Sequence, residues 1–235
     1  MVMGDTSSKA RGTRSAYIRA MTSLFRVYGW LIWLYALGVR LTSQWKYEGL
    51  AHREAARTHG RVIYALWHQD GAFFCAALRR EIPRRLSLLV LGGRKVGMFQ
   101  GFADLDGFRI HATGSREKTV AAMEAVIRDV RAGAWSAITP DGPMGPPRVC
   151  KPGIVELVRA VDGVVLPVSL SCSRYIQTRR WDGVRVPLPF GRFTVRFAPP
   201  IVSAACPNNN VLRSTIERGI EACSQWRGEP QGGVV

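Results

Sequence analysis

His68 and Asp70 stand two residues apart, directly after the apolar run Arg61-Val62-Ile63-Tyr64-Ala65-Leu66-Trp67. An imidazole titrates near neutrality, so a histidine delivered by a buried strand can take the proton of a hydroxyl and make it a nucleophile. Asp70 is placed to orient or polarise that imidazole, since residues i and i+2 of a strand share a face. A second stretch, Ile138-Thr139-Pro140-Asp141-Gly142-Pro143-Met144-Gly145-Pro146-Pro147-Arg148, holds four prolines, two glycines and one carboxylate in eleven residues. Proline fixes φ and glycine admits positive φ, so this is a rigid loop on a prescribed path. Asp141 at one end and Arg148 and Lys151 at the other put a carboxylate beside an anion site. Gly114-Ser115-Arg116 precedes a helical pattern, where free N–H groups and the helix dipole favour an anion. Each place also has a structural reading: a satisfied polar histidine, a stiff turn, solvated surface charges.

These residues need elements to hold them. Strand-like runs cover 61–67, 86–91, 108–112, 135–138, 164–170 and 193–197. Helical patterns lie between them, around 52–58 and 72–80. One is capped by Ser115 and stopped by Gly133, one runs through Ile154, Leu157, Val158 and Val161, and one through Val211, Leu212, Ile216 and Ile220. Alternating strands and helices predict an α/β domain with a mostly parallel central sheet flanked by helices. Ligands of such sheets gather beyond the C-terminal strand ends, where the loops at 68–71, 92–95 and 139–148 fall.

The net charge of +16 implies an anionic partner: nucleic acid, an anionic membrane or an acidic carrier. Aromatic and basic residues are not interleaved, which disfavours a single-strand nucleic-acid binder. The five cysteines include no CxxC pair and the four histidines show no metal-ligand spacing, so neither a disulfide framework nor a metal centre is expected. No Walker loop, GxGxxG or GxSxG occurs. Between Arg26 and Arg40 lie thirteen uncharged residues rich in Trp and Tyr, the residue types of the lipid–water interface. The expected organisation is a basic flexible stretch at 1–20, a membrane-anchoring hydrophobic helix at 21–45 with its apolar part at 24–41, one catalytic domain at 46–228 and a flexible tail at 229–235.

Taken in order, several segments resemble the DUF374 branch of the lysophospholipid acyltransferase-like superfamily. They are Ala65-Leu66-Trp67-His68, Gly107-Phe108, Gly114-Ser115, the block from Ile138 through Lys151-Pro152-Gly153, Val165-Leu166-Pro167-Val168, and Trp181-Asp182 with Pro187-Leu188-Pro189-Phe190. The resemblance implies a glycerolipid acyltransferase-like fold and acyl transfer; the basic residues ahead of the hydrophobic helix point, by the positive-inside tendency, to the cytoplasmic face of a bacterial inner membrane. The donor would be acyl carrier protein or a CoA thioester, the acceptor a lysophospholipid or lipid A-type hydroxyl, with anionic lipids as the surface. Neither a cofactor nor nucleic acid is expected. His68 takes the place of the catalytic histidine, with Asp70 as its carboxylate and Asp104 and Asp106 behind it. Gly114, Ser115, Arg116, Thr139, Pro140, Asp141, Gly142, Pro143, Arg148 and Lys151 are the expected acceptor-binding residues. The chain departs from the family pattern at Phe73, where the superfamily has an acid, and at Gly92–Gly97 and Thr113, where the branch favours an acidic segment and an arginine. A hydrolase, or a non-catalytic basic protein that binds membranes or nucleic acid on the same fold, remains as an alternative.

Overall fold

The computed structural model describes residues 6–77, 85–93 and 96–225, with side chains from residue 23 onward. Arg94, Lys95, the end of the expected 72–80 helix and the tail at 229–235 lie outside the described residues. In chain order the elements are α1 (Thr6–Thr42), β1 (Gln44–Glu48), α2 (Leu50–Thr58), β2 (Val62–Ala65), a 3-10 turn (His68–Asp70) and α3 (Gly71–Ala77). Then come β3 (Leu86–Val90), α4 (Val96–Asp106), β4 (Arg109–Ala112), α5 (Arg116–Arg131), β5 (Trp135–Ile138) and α6 (Gly153–Ala160). The last are β6 (Val164–Cys172), β7 (Tyr175–Gln177), β8 (Arg185–Pro187), β9 (Arg192–Phe197), β10 (Ile201–Val202) and α7 (Asn209–Gln225).

The main sheet runs β1-β9-β6-β2-β5-β3-β4, with β10 also on β6. The pairs β2–β5, β2–β6, β3–β5, β3–β4 and β1–β9 are parallel; β6–β9 and β6–β10 are antiparallel. The sheet is therefore mostly parallel, with helices on both faces. β2 sits at its centre, every residue buried, as a β-branched and aromatic run without polar alternation requires. Strand alternation sends Val62, Tyr64 and Leu66 into one core with Phe73, Phe74, Phe193 and Phe197. Ile63, Ala65 and Trp67 enter the other, with Val126, Leu157, Leu212 and Ile216. Each such large side chain contributes about 1.5–3 kcal/mol by leaving water, so the strand that ends at His68 is held from both faces.

Four features were not expected from the sequence: β1, α4, the β7–β8 hairpin and β10. In addition, the backbone of the basic stretch expected to be flexible is helical from Thr6; Ala, Arg, Lys and Met are good helix formers. The segment Ser23–Thr42 of α1 is long and apolar enough to cross a membrane. Its two faces differ. Gly29, Ala36, Val39 and Arg40 are buried against the body, while Leu24, Val27, Tyr28, Leu31, Leu34, Tyr35 and Leu41 form an exposed apolar stripe at helical spacing. The inner face crosses α4 backbone to backbone. A Cβ at Gly29 would lie 2.1 Å from the Met98 carbonyl oxygen, and one at Gly101 would lie 2.1 Å from that of Arg26.

Candidate active site

His68 begins the 3-10 turn that follows β2, at the C-terminal edge of the sheet. The turn is tied to the neighbouring strand, because Leu66 N donates to the carbonyl of Ile138, the last residue of β5. Trp67 is buried beneath, its Nε1 donating to Glu221 of α7 at 3.2 Å. Thr139, the first residue past β5, meets the imidazole: its Oγ1 lies 3.1 Å from His68 Nδ1. With Nδ1–H donating to that hydroxyl, Nε2 carries the lone pair. The His68 side chain as a whole is 31% exposed.

Asp141 organises this corner. Its carboxylate accepts from His68 N at 3.1 and 3.3 Å and from Arg148 N at 3.4 Å, joining the histidine turn to both ends of the proline loop. Burial pushes the Asp141 carboxyl above its ordinary range, and the Arg148 and His68 N–H groups act against that shift. The loop closes through Gly142 N to Thr139 O and Lys151 N to Pro140 O, both 2.9 Å. Gly142 has φ 65°, and the Lys151 side chain crosses it so closely that a Cβ would lie 3.2 Å from Nζ. Pro140 is buried in the turn and Pro143 is exposed. Glu217 and Glu221 of α7 hold the far end, accepting from Cys150 N at 2.8 Å and from the Arg148 guanidinium at 3.3 Å.

A carboxylate that the sequence did not single out for catalysis lies beyond Nε2. The hairpin of β7 and β8 folds over this corner and brings Asp182 Oδ2 to 3.7 Å from His68 Nε2. The Trp181 ring lies beside the imidazole, centroids 5.5 Å apart, and against Gly145, where a Cβ would be 2.7 Å from the ring. Asp182 is 4% exposed; among the described residues neither carboxylate oxygen accepts a hydrogen bond, and Arg180 Nη2 lies 3.6 Å from Oδ2.

Asp70, expected to orient the imidazole, does not face it. In a 3-10 turn successive residues are roughly 120° apart, so residue i+2 leaves the side that a strand would have given it. The fully buried carboxylate instead pairs with the Arg185 guanidinium of β8 and accepts from Leu170 N at 3.5 Å. Burial pushes its carboxyl up, opposed by Arg185. Its place is a clamp between the histidine turn and the hairpin. Asp104 and Asp106 are also elsewhere: they pair with Arg26 at 2.7 Å and Arg40 at 3.9 Å in the α1–α4 contact. Ser115 caps α5, accepting from Lys118 N at 3.4 Å, and Gly114 N donates to Thr119 Oγ1 at 3.3 Å. Gly114, Ser115 and exposed Arg116 follow β4 at the sheet edge, three strands from β2. At strand spacing that is about 14 Å, so they do not join the His68 cluster. Thr139, Asp141 and Arg148 do, with Gly142 and Lys151 next to them.

No protein-family model matches the chain. The uncharacterized protein RP090 of Rickettsia prowazekii (strain Madrid E) is 23% identical over 198 residues, 83% of this chain and 90% of that protein. Among solved structures, the 1-acyl-sn-glycerophosphate (LPA) acyltransferase PlsC from Thermotoga maritima is similar, with a TM-score of 0.53 and 13% identity, over 92% of this chain and 85% of that one. The likeness shows a PlsC-like fold: mixed α/β, with a mostly parallel central sheet flanked by helices.

Proposed function

We propose that this chain is a membrane-associated acyltransferase. It moves a fatty acyl group from a thioester of acyl carrier protein or CoA to a hydroxyl of a lysophospholipid or lipid A-type acceptor. The observation that carries the reading is the His68 imidazole at the C-terminal edge of the sheet, its Nδ1 on Thr139 and its side chain partly open to solvent, in a PlsC-like fold. In the reaction His68 Nε2 takes the acceptor hydroxyl proton as the oxygen attacks the thioester carbonyl. The C–O bond forms, the C–S bond breaks, and the departing thiolate receives the proton from Nε2. The Arg148 guanidinium, half-exposed beside the same corner, and Lys151 supply positive charge for an anionic headgroup.

The apolar stripe of α1 supports docking on a bilayer. A helix with its other face already packed on the protein lies in the interface plane more readily than it spans, and interfacial Trp and Tyr favour that depth. Anionic lipid and an acidic carrier both suit a charge of +16, and the basic residues ahead of the stripe favour the cytoplasmic face of an inner membrane. The DUF374-like blocks noted above fit this reading.

The test combines purified protein, palmitoyl-CoA or palmitoyl-acyl carrier protein, and lysophosphatidic acid or a lipid A precursor in phosphatidylglycerol vesicles. Ester formation that disappears in a folded His68→Ala variant supports transfer. Free fatty acid as the product makes the protein a hydrolase. Salt-dependent binding to vesicles or DNA that His68→Ala leaves intact, with no thioester consumed, makes it a non-catalytic binder.

A further inference from the structure

We propose that Asp182, carried to the imidazole by the β7–β8 hairpin, is the carboxylate that positions His68 and balances its charge once Nε2 is protonated. The proposal deepens the acyl-transfer reading and rests on it for its kinetic arm.

The first argument is the state of the carboxylate. A buried ionised group is costly unless hydrogen-bonded or paired. Asp182 is 4% exposed, and neither of its oxygens accepts a hydrogen bond from the described residues. Near it are the Arg180 guanidinium, on a side chain 56% exposed, at 3.6 Å, and the His68 ring at 3.7 Å. The other carboxylates around the histidine are already engaged. Asp141 receives the His68 and Arg148 N–H groups, and Asp70 receives Arg185 and Leu170 N. Asp182 is thus the neighbouring carboxylate with capacity left for a proton arriving on Nε2.

The second argument is how firmly the hairpin is held. On one side Arg185, where β8 leaves the loop, reaches Asp70 and the Leu170 carbonyl, and stacks over the Phe73 ring at 5.1 Å. At its base Tyr35 Oη of α1 donates to the Pro187 carbonyl at 2.6 Å. At its tip Trp181 rests on Gly145 of the proline loop. A turn fixed at base, side and tip presents Asp182 at a set position. Proton transfer needs that, because a charge balances an imidazolium only where the geometry is maintained.

The third argument is the nitrogen it faces. Thr139 occupies Nδ1, so the proton taken in the reaction goes to Nε2, the atom nearest Asp182. The separation of 3.7 Å is longer than a hydrogen bond. The carboxylate therefore leaves Nε2 open to a hydroxyl in the neutral state and attracts the ring electrostatically in the charged state.

The experiment compares wild type with Asp182→Asn, which keeps the shape and removes the charge. With lysophosphatidic acid in phosphatidylglycerol vesicles and palmitoyl-CoA or palmitoyl-acyl carrier protein, kcat is expected to fall about 100- to 1,000-fold, with the acceptor KM within about threefold. Sodium formate is expected to restore part of the activity of Asp182→Ala. The Asp182→Asn protein is expected to melt at or above the wild-type temperature, because no hydrogen bond to the carboxylate is lost and a buried carboxylate has gone; a structural carboxylate would give the opposite. Imidazole nitrogen NMR supplies a readout free of turnover: the His68 signals move in Asp182→Asn while those of His111 stay. Wild-type kcat in Asp182→Asn, a lowered melting temperature without a kinetic defect, or unmoved His68 signals would overturn the proposal. If the wild type forms no ester with either donor, the acyl-transfer reading falls, and the NMR comparison alone decides whether Asp182 acts on His68.

Discussion

Among the described residues are two histidine–aspartate pairs, and they are built differently. At the β3–β4 edge of the sheet His111 Nε2 lies 2.9 Å from Asp129 Oδ2. The same carboxylate accepts from Ser87 Oγ at 2.8 Å and Arg109 Nη1 at 2.6 Å. At the centre of the sheet His68 Nε2 lies 3.7 Å from Asp182, whose oxygens accept no hydrogen bond among the described residues. The short pair is complete: its carboxylate has three donors and joins two strands to α5. The long pair is incomplete and sits where parallel sheets collect ligands. A filled hydrogen-bond inventory marks structure; a buried carboxylate without a hydrogen bond, beside an imidazole at the mouth of the sheet, keeps capacity for a proton.

Substitutions can break this contrast. The largest effect is expected for His68→Ala, with kcat down about 1,000- to 10,000-fold and little change in melting temperature. His111→Ala should do the reverse, keeping turnover and lowering stability by about 1 kcal/mol. Parallel initial-rate and calorimetric measurements compare them. If both variants lose activity equally, the distinction between the pairs collapses.

Next is Asp70→Ala. It strands the Arg185 guanidinium, whose side chain is 12% exposed, and removing one partner of a buried pair costs about 3–5 kcal/mol. Urea unfolding measures the loss. A variant of wild-type stability would remove Asp70 from its place as the hairpin's clamp.

Asp129→Asn probes the complete pair through pH. Burial acts to raise the Asp129 carboxyl, but hydrogen bonds from His111, Ser87 and Arg109 outweigh it and hold the group below its ordinary value. A depressed folded value gives stability that is present above the unfolded value near pH ~3.9 and lost as pH falls through the folded one. The variant should therefore be about 2 kcal/mol less stable at neutral pH, with the gap closing as the solution is acidified below pH ~4. A gap that persists undiminished at pH ~2 would mean that the charge of Asp129 does not carry its stabilisation.

The smallest effect is expected for Thr139→Val, which keeps shape and removes the acceptor on Nδ1. A loss of one such hydrogen bond corresponds to about a tenfold fall in kcat. Unchanged turnover would show that the ring is held by its surroundings without the hydroxyl.

The central part of this architecture was legible in the sequence because it is built from residues that read without ambiguity. The run Val62–Ala65 is apolar and β-branched throughout, so its burial and the exit of His68 at its end followed directly. The proline loop announced its own rigidity, and Thr139, Asp141 and Arg148 do converge on His68. The carboxylate partner was not legible, for two physical reasons. Asp70 turns away because the chain enters a 3-10 turn at once, and a two-residue spacing reads differently in a turn and a strand. Asp182 arrives on a hairpin whose strands are three residues each, too short for any periodicity. Trp181-Asp182 was visible as a block of the family resemblance, yet nothing local says that it folds back onto His68. α4 escaped for a related reason: apolar residues on most of its circumference hide helical period, and its glycines read as breakers when they are contact points.

Those contact points have a mechanical consequence. Where Gly29 and Gly101 let α1 and α4 touch, carbonyl groups meet Cα atoms with no side chain between them. Side chains repack under load; backbone does not. The crossing is a joint without slack, and a roll of α1 about its axis has to drag α4 with it. The apolar stripe on the far side of α1 is consequently aimed as well as attached, its bearing set against the same sheet that carries His68.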